Sequence, residues 1–122
     1  MPKRILIVDD DALNIKLVKD ILAANNYSYL EAVNGQEAIE IALKQKPDLI
    51  LMDLEMPVMD GMSAIKILKT KEDTKSIPII ALTAFAMEGD KERVLLAGAD
   101  DYLTKPIKIE LLLKTVRKYI EI

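Results

Sequence analysis

Residues 49–61 read LILMDLEMPVMDG. Leu49 to Met52 form an apolar run of strand length that ends on Asp53, and a turn containing Pro57 and Gly61 follows. Four apolar residues in succession fit a strand buried on both faces, as in the middle of a parallel sheet. A carboxylate ending such a strand needs a compensating partner, because burying an unpaired charge is costly.

Similar short runs recur at regular intervals. RILIV (4–8), YSYLEA (27–32), DLILM (48–52), IPIIAL (77–82) and DYL (101–103) read as five strands. The stretches between them carry helical periodicity. Leu17, Val18, Ile21 and Leu22 form one apolar face; Ala38, Ile39, Ala42 and Leu43 form the next. Ala64, Ile65 and Leu68 mark a third helix, Val94, Leu95 and Ala97 a fourth, and Leu111, Leu112, Val116 and Ile120 a fifth. Gly98 suits a helix C-terminus, where a left-handed backbone needs no Cβ. Pro47 and Pro78 stand just before strands, where the missing N–H costs no ladder bond.

Five strand–helix alternations predict an α/β fold with a parallel sheet between helical layers, a three-layer sandwich. The first, third and fourth strands are the most uniformly apolar and are expected at the centre. YSYLEA mixes polar and apolar residues and is expected at an edge. The 122 residues fit one domain spanning 1–122, with no output domain expected after the fifth helix.

Composition narrows the chemistry. The chain has no cysteine and no histidine, which removes disulfides, thiolate metal sites, cysteine nucleophiles and the commonest general base. Net charge is −3, so no global electrostatic case exists for nucleic acid. No apolar stretch approaches membrane-spanning length, and the N-terminal MPKR-ILIV gives way at once to acids rather than to a signal segment. A cytoplasmic location is expected, with neither nucleic acid nor membrane as partner.

Ligands of open parallel sheets bind at the carboxyl ends of the strands. There this sequence places Asp9, Asp10 and Asp11, then Asp53, then Thr83 with Ala84, then Lys105 with Pro106. Singly, each has an ordinary explanation: Asp11 before ALNIKL suits a helix N-cap, a strand-ending Thr is common, and a lone Lys is usually solvated. Jointly they gather acids, one hydroxyl and one ammonium on one sheet edge. Carboxylates so close repel one another and require positive charge. Lys105 supplies one unit and a divalent cation two. Oxygen-only ligation suits Mg²⁺, with Mn²⁺ able to substitute. A carboxylate beside such a cation and a lysine, with a hydroxyl in reach, is a plausible phosphoryl acceptor.

The segments IVDD, LMDLEMPVMDG, ALTA and YLTKP, in this order and spacing, resemble the receiver domain of two-component response regulators. The resemblance covers essentially the whole chain, and TAFAMEGDKER is most similar to single-domain regulators of the DivK type. It implies a flavodoxin-like (βα)5 fold with strand order 2-1-3-4-5. It also implies that Asp53 takes a phosphoryl group from a phosphohistidine on a sensor histidine kinase or histidine phosphotransfer protein. Asp9, Asp10, Asp53 and the Glu55 main-chain carbonyl are then the Mg²⁺ ligands. Lys105 pairs with Asp53, Thr83 donates its hydroxyl, and the Leu54 and Ala84 amides help hold the phosphoryl group. Thr83 and Tyr102 become the switch, reshaping the face of the fourth helix, fifth strand and fifth helix for a downstream protein target. The Lys105–Pro106 bond is a candidate cis peptide.

Further positions carry narrower expectations. Glu55 and Phe85, two residues after Asp53 and Thr83, are expected to tune phosphoryl lifetime, with Phe85 slowing self-dephosphorylation. Phe85-Ala86-Met87 forms a small apolar group. Leu13, Asn14 and Leu17 are candidates for partner contact; Asn14 also stands close enough to Asp10 to cap or bridge the acidic loop. Glu88 to Arg93 is a charge run that suits a solvated helix face. The chain is expected to be a signalling protein that assists its own phosphorylation, not an enzyme with turnover.

Other readings of the same residues are a receiver segment of a hybrid kinase and a pseudo-receiver that works without phosphorylation. A haloacid-dehalogenase phosphatase would need Thr or Val where the D-x-D-x motif from Asp9 meets Leu13. A flavin carrier would need a phosphate-cradling loop where three aspartates repel phosphate.

Overall fold

All five strands form and pair in parallel, each followed by a helix. The elements are β1 (Arg4–Val8), α1 (Ala12–Ala24), β2 (Ser28–Ala32), α2 (Gly35–Gln45), β3 (Leu49–Asp53), α3 (Gly61–Thr70), β4 (Ile79–Thr83), α4 (Asp90–Ala97), β5 (Asp101–Thr104) and α5 (Ile109–Ile120). The computed structural model describes residues 2–56, 59–84 and 89–120. The sheet order is β2-β1-β3-β4-β5, so the mixed YSYLEA segment does lie at an edge and the three apolar strands at the centre. The fold is the flavodoxin-like (βα)5 sandwich.

Strand alternation divides the interior into two cores, because successive side chains leave a strand on opposite faces. Ile5, Ile7, Leu49, Leu51, Ile80, Leu82 and Leu103 pack with α1 and α5. Leu6, Val8, Ile50, Met52, Ile79 and Ala81 pack with residues of α2, α3 and α4. β3 and β4 are buried at every position, including Asp53 and Thr83 at their ends.

Caps follow the sequence closely. Asp11 caps α1 by accepting from the Leu13 amide at 2.9 Å, Asn34 caps α2 through Glu37, and Asp60 caps α3 through Ser63. Gly98 closes α4 with φ of 119°. The Lys105–Pro106 bond is cis.

The helical faces are less regular than their periodicity suggests. In α1 the buried residues are Ile15, Val18, Ile21 and Leu22, while Leu17 stays 48% exposed. Leu95 and Leu111 also face outward. An apolar arc wider than the strip that meets the sheet leaves its margin in water.

Opposite the functional edge, Lys69 of α3 reaches across to Asp100. Its ammonium lies 2.7 Å from Asp100 Oδ2 and donates to the Ile77 carbonyl at 2.8 Å; the same Oδ2 accepts the Ile79 amide at 2.8 Å. This node ties α3 and β4 to the entry of β5, the strand that carries Lys105 to the sheet edge. Asp100→Ala would strip a mostly covered ammonium of its ion-pair partner and the Ile79 amide of its acceptor. We expect a loss of about 1–3 kcal/mol, seen as a lower urea midpoint with unchanged m-value. An unchanged midpoint would mean that water replaces the carboxylate at no cost.

Candidate functional site

The site is built where β1, β3, β4 and β5 end. The last ladder bonds reach up to it: Asp9 N donates to Ala32 O, Leu54 N to Leu82 O at 2.9 Å and Lys105 N to Thr83 O at 2.8 Å. Alternation then sorts the side chains. Asp9, Asp53 and Lys105 continue the parity of Ile7, Leu51 and Leu103, on the α1/α5 side. Thr83 continues the parity of Ala81, and with Tyr102 belongs to the other side, where Tyr102 packs against the α2–α4 core.

Asp53 is 1% exposed and Asp9 4%, whereas Asp10 faces solvent. One carboxylate oxygen from each of the three lies within 4.8 Å of the others. Lys105 Nζ sits 3.0 Å from Asp53 Oδ1, which also accepts the Glu55 amide at 3.1 Å. Burial pushes the Asp9 carboxyl up to about 6; the Asp11 amide lowers it, the neighbouring Asp53 raises it, and Lys105 pulls it back. Burial acts on Lys105 in the opposite direction, but its hydrogen bond to Asp53 and the charges of Asp53, Asp9 and Glu55 outweigh that, so its ammonium is held above the usual value.

Three carboxylates against one ammonium leave an excess of negative charge in a largely buried place. Oxygen donors only, converging within a few ångströms, form a set that can coordinate a hard divalent cation. Asp9, Asp10, Asp53 and Lys105, from the ends of three strands, therefore converge.

Two details differ from expectation. The Leu54 amide is engaged by the Leu82 carbonyl, because residue 54 still continues the ladder; the amide aimed at the Asp53 carboxylate is that of Glu55. The Glu55 side chain, expected to matter for lifetime, accepts the Ala84 amide on Oε1 at 2.8 Å, while its Oε2 is buried without a partner among the described residues. Periodicity and spacing carry no signal for that contact, which depends on how the chain turns after Asp53.

Among the other expectations, Leu13 is 77% exposed on α1. Asn14 and Leu17 line a depression shared with Asp9, Leu82, Lys105, Pro106 and Ile107. The Asn14 side chain makes no hydrogen bond to the acidic loop among the described residues. Lys91, Glu92 and Arg93 face solvent, as a charge run on a helix should. Phe85, Ala86, Met87 and Glu88 lie outside the described residues. No helix among the described residues is long and apolar enough to cross a membrane.

Comparison with known proteins follows the same lines. The family model described as "Response regulator receiver domain" matches residues 5–117. The polar-differentiation response regulator DivK of Brucella anthropi is 42% identical over 120 residues, covering 98% of each chain. The receiver domain of a sensor histidine kinase from Pseudomonas aeruginosa PAO1, solved with a magnesium ion coordinated in its active site cleft, superposes with a TM-score of 0.91 at 38% identity, over 98% of each chain. A chain of the co-crystal structure of the Saccharomyces cerevisiae histidine phosphotransfer protein Ypd1 with the receiver domain of Ssk1 superposes with a TM-score of 0.90 at 34% identity, over 97% of this chain and 88% of that one. With a family match over most of its length and relatives well above 30% identity, this chain belongs to the response regulator receiver domain family.

Proposed function

We propose that this chain is a DivK-like response regulator that accepts a phosphoryl group on Asp53 from a phosphohistidine of a sensor histidine kinase or histidine phosphotransfer protein. The observation that carries this reading is the Asp53 carboxylate, held rigidly at the end of β3, 3.0 Å from the Lys105 ammonium and beside two further carboxylates. An Asp53 oxygen attacks phosphorus in line, the P–N bond breaks, and its electron pair leaves on the imidazole of the partner, giving an acyl phosphate. Lys105 then turns from the carboxylate to a phosphoryl oxygen. The Thr83 hydroxyl and the Glu55 and Ala84 amides donate to the remaining oxygens. Asp9, Asp10, Asp53 and the Glu55 carbonyl would hold Mg²⁺ (or Mn²⁺), which neutralises charge on the transferred group.

Thr83 and Tyr102 share one side of the sheet, which supports a switch in which the hydroxyl moves toward the phosphoryl group and Tyr102 follows it inward. The α4-β5-α5 face would change shape and present itself to a downstream protein. Exposed Leu13 and Leu17, with Asn14 at the depression beside Lys105, fit a docking surface for the donor's helices. The yeast complex of a histidine phosphotransfer protein with a receiver supports that class of partner. A receiver segment of a hybrid kinase would use the same chemistry, and the likeness to the Pseudomonas domain supports it as the second reading.

The test is incubation with Mg²⁺ and acetyl phosphate, followed by intact mass. We expect a gain of one phosphoryl group. No gain would favour a pseudo-receiver that binds partners without phosphorylation. Charge stabilisation by a metal is worth several kcal/mol, so EDTA should slow incorporation by about 100-fold or more. Incorporation that is indifferent to EDTA would remove the metal ion from the reaction.

A further inference from the structure

Asp53 is 1% exposed, although it is the group that a phosphoryl donor must reach. Glu55 meets the site twice. Its backbone amide holds Asp53 Oδ1, and its side chain turns back so that Oε1 accepts the Ala84 amide at 2.8 Å. A carboxylate oxygen on that amide stands where a phosphoryl oxygen is to stand. We propose that Glu55 is an occluding latch: in the resting protein its carboxylate occupies the phosphoryl-binding Ala84 amide, and phosphorylation of Asp53 must displace it. This rests on the assignment of Asp53 as acceptor and Ala84 as a phosphoryl-binding amide.

Three observations argue for a latch that opens. The contact is a hydrogen bond to a carboxylate, so it competes in kind with a phosphoryl oxygen. Among the described residues Glu55 Oε2 is buried with no donor, which costs the closed state and favours release into water. The Glu55 carboxylate is also close enough to raise the affinity of Lys105 for its proton, so it lies within the field of the ammonium that the phosphoryl group is to use. Displacement therefore frees an amide donor and removes a negative charge from the path of an anionic donor, both at once.

Charge and occlusion separate experimentally. Glu55→Gln deletes the charge but keeps an amide oxygen of the same reach for the Ala84 N–H; Glu55→Ala deletes both. The full chain and both variants are treated with Mg²⁺ and acetyl phosphate, where Asp53 attacks phosphorus and acetate leaves with the electron pair. Incorporation is followed by intact mass. We expect roughly a tenfold faster gain in Glu55→Ala, the low end of what a charge-assisted hydrogen bond contributes, and a clearly smaller gain in Glu55→Gln. In the unphosphorylated protein, the Ala84 amide proton should shift upfield in Glu55→Ala and only slightly in Glu55→Gln. Equal rates in all three proteins, equal acceleration in both variants, or an Ala84 resonance unmoved by Glu55→Ala would each overturn the latch alone. Absence of label in all three would overturn the acceptor assignment and the latch with it.

Discussion

Gly61→Ala is expected to lower the melting midpoint by about 10 °C because, of the four glycines, this is where an added Cβ meets its neighbours most closely. Gly61 opens α3 directly beneath the acceptor strand. A Cβ built on it would fall inside the van der Waals envelope of the Asp53 carbonyl oxygen, 2.8 Å from Leu54 Cα and 3.0 Å from Asp53 C. All three are backbone atoms at the end of β3 or just past it, so no flexible side chain can give way. Overpacking against rigid neighbours costs about 3 kcal/mol at the upper end of its usual range, and in a domain of this size each kcal/mol is worth roughly 3–5 °C. Relief would have to come from moving the start of α3 or the end of β3, and the second route displaces Asp53 from Lys105. Phosphoryl incorporation should therefore fall along with stability. Gly89→Ala is the useful contrast. Among the described residues nothing lies within 4 Å of its added Cβ, and a φ of +91° opposes it, a penalty of about 1–2 kcal/mol. A wild-type midpoint for Gly61→Ala, measured by thermal circular dichroism, would show that the α3 start is free to shift.

The end of LILMDLEMPVMDG thus explains its beginning: an acid can stand rigidly at the end of an apolar strand because the next helix begins pressed against its backbone. Much of that arrangement was legible in the sequence. Alternation and apolar runs located five strands because β3 and β4 are buried on both faces, and no other pattern satisfies that burial in a short run. The acids, Thr83 and Lys105 were legible because a parallel sheet sends every strand's carboxyl end to one edge. Less was legible where contact depends on a turn or on the exact width of a helical face. Periodicity assigned Leu17 to the core in place of Ile15, since both lie within the apolar arc and only the fit to the sheet separates them. The family resemblance suggested the Leu54 amide for the site, but the ladder runs two residues past the expected strand end at Met52 and uses that amide on Leu82. The fold of Glu55 onto Ala84 joins residues 29 apart across a loop, and no local pattern encodes it.

Asp53→Asn should abolish phosphoryl incorporation while leaving the fold intact, and the geometry supplies a reason to expect each half. Three aspartates converge here, and acid clusters alone do not say which is the nucleophile. Asp10 is exposed, and Asp9 Oδ1 is engaged by the Asp11 amide at 2.9 Å. Asp53 alone combines a fixed position at a strand end with the Lys105 ammonium and a backbone amide on one oxygen. An amide in its place has no carboxylate oxygen to attack phosphorus, so label should fall to background. Asp9→Asn and Asp10→Asn remove a ligand rather than the nucleophile, so each should slow incorporation and leave a measurable rate. Stability should change little in Asp53→Asn, by about 1 kcal/mol or less, because the swap conserves volume at a buried position and removes one of several mutually repelling charges. Asparagine Oδ1 still accepts from Glu55, its NH₂ can donate toward Asp9, and the partly exposed Lys105 ammonium can hydrate. Intact mass after acetyl phosphate treatment reads the first half and a thermal melt the second. Wild-type labelling of Asp53→Asn, coupled with its loss in Asp9→Asn or Asp10→Asn, would move the acceptor to β1 and leave Asp53 as a ligand only.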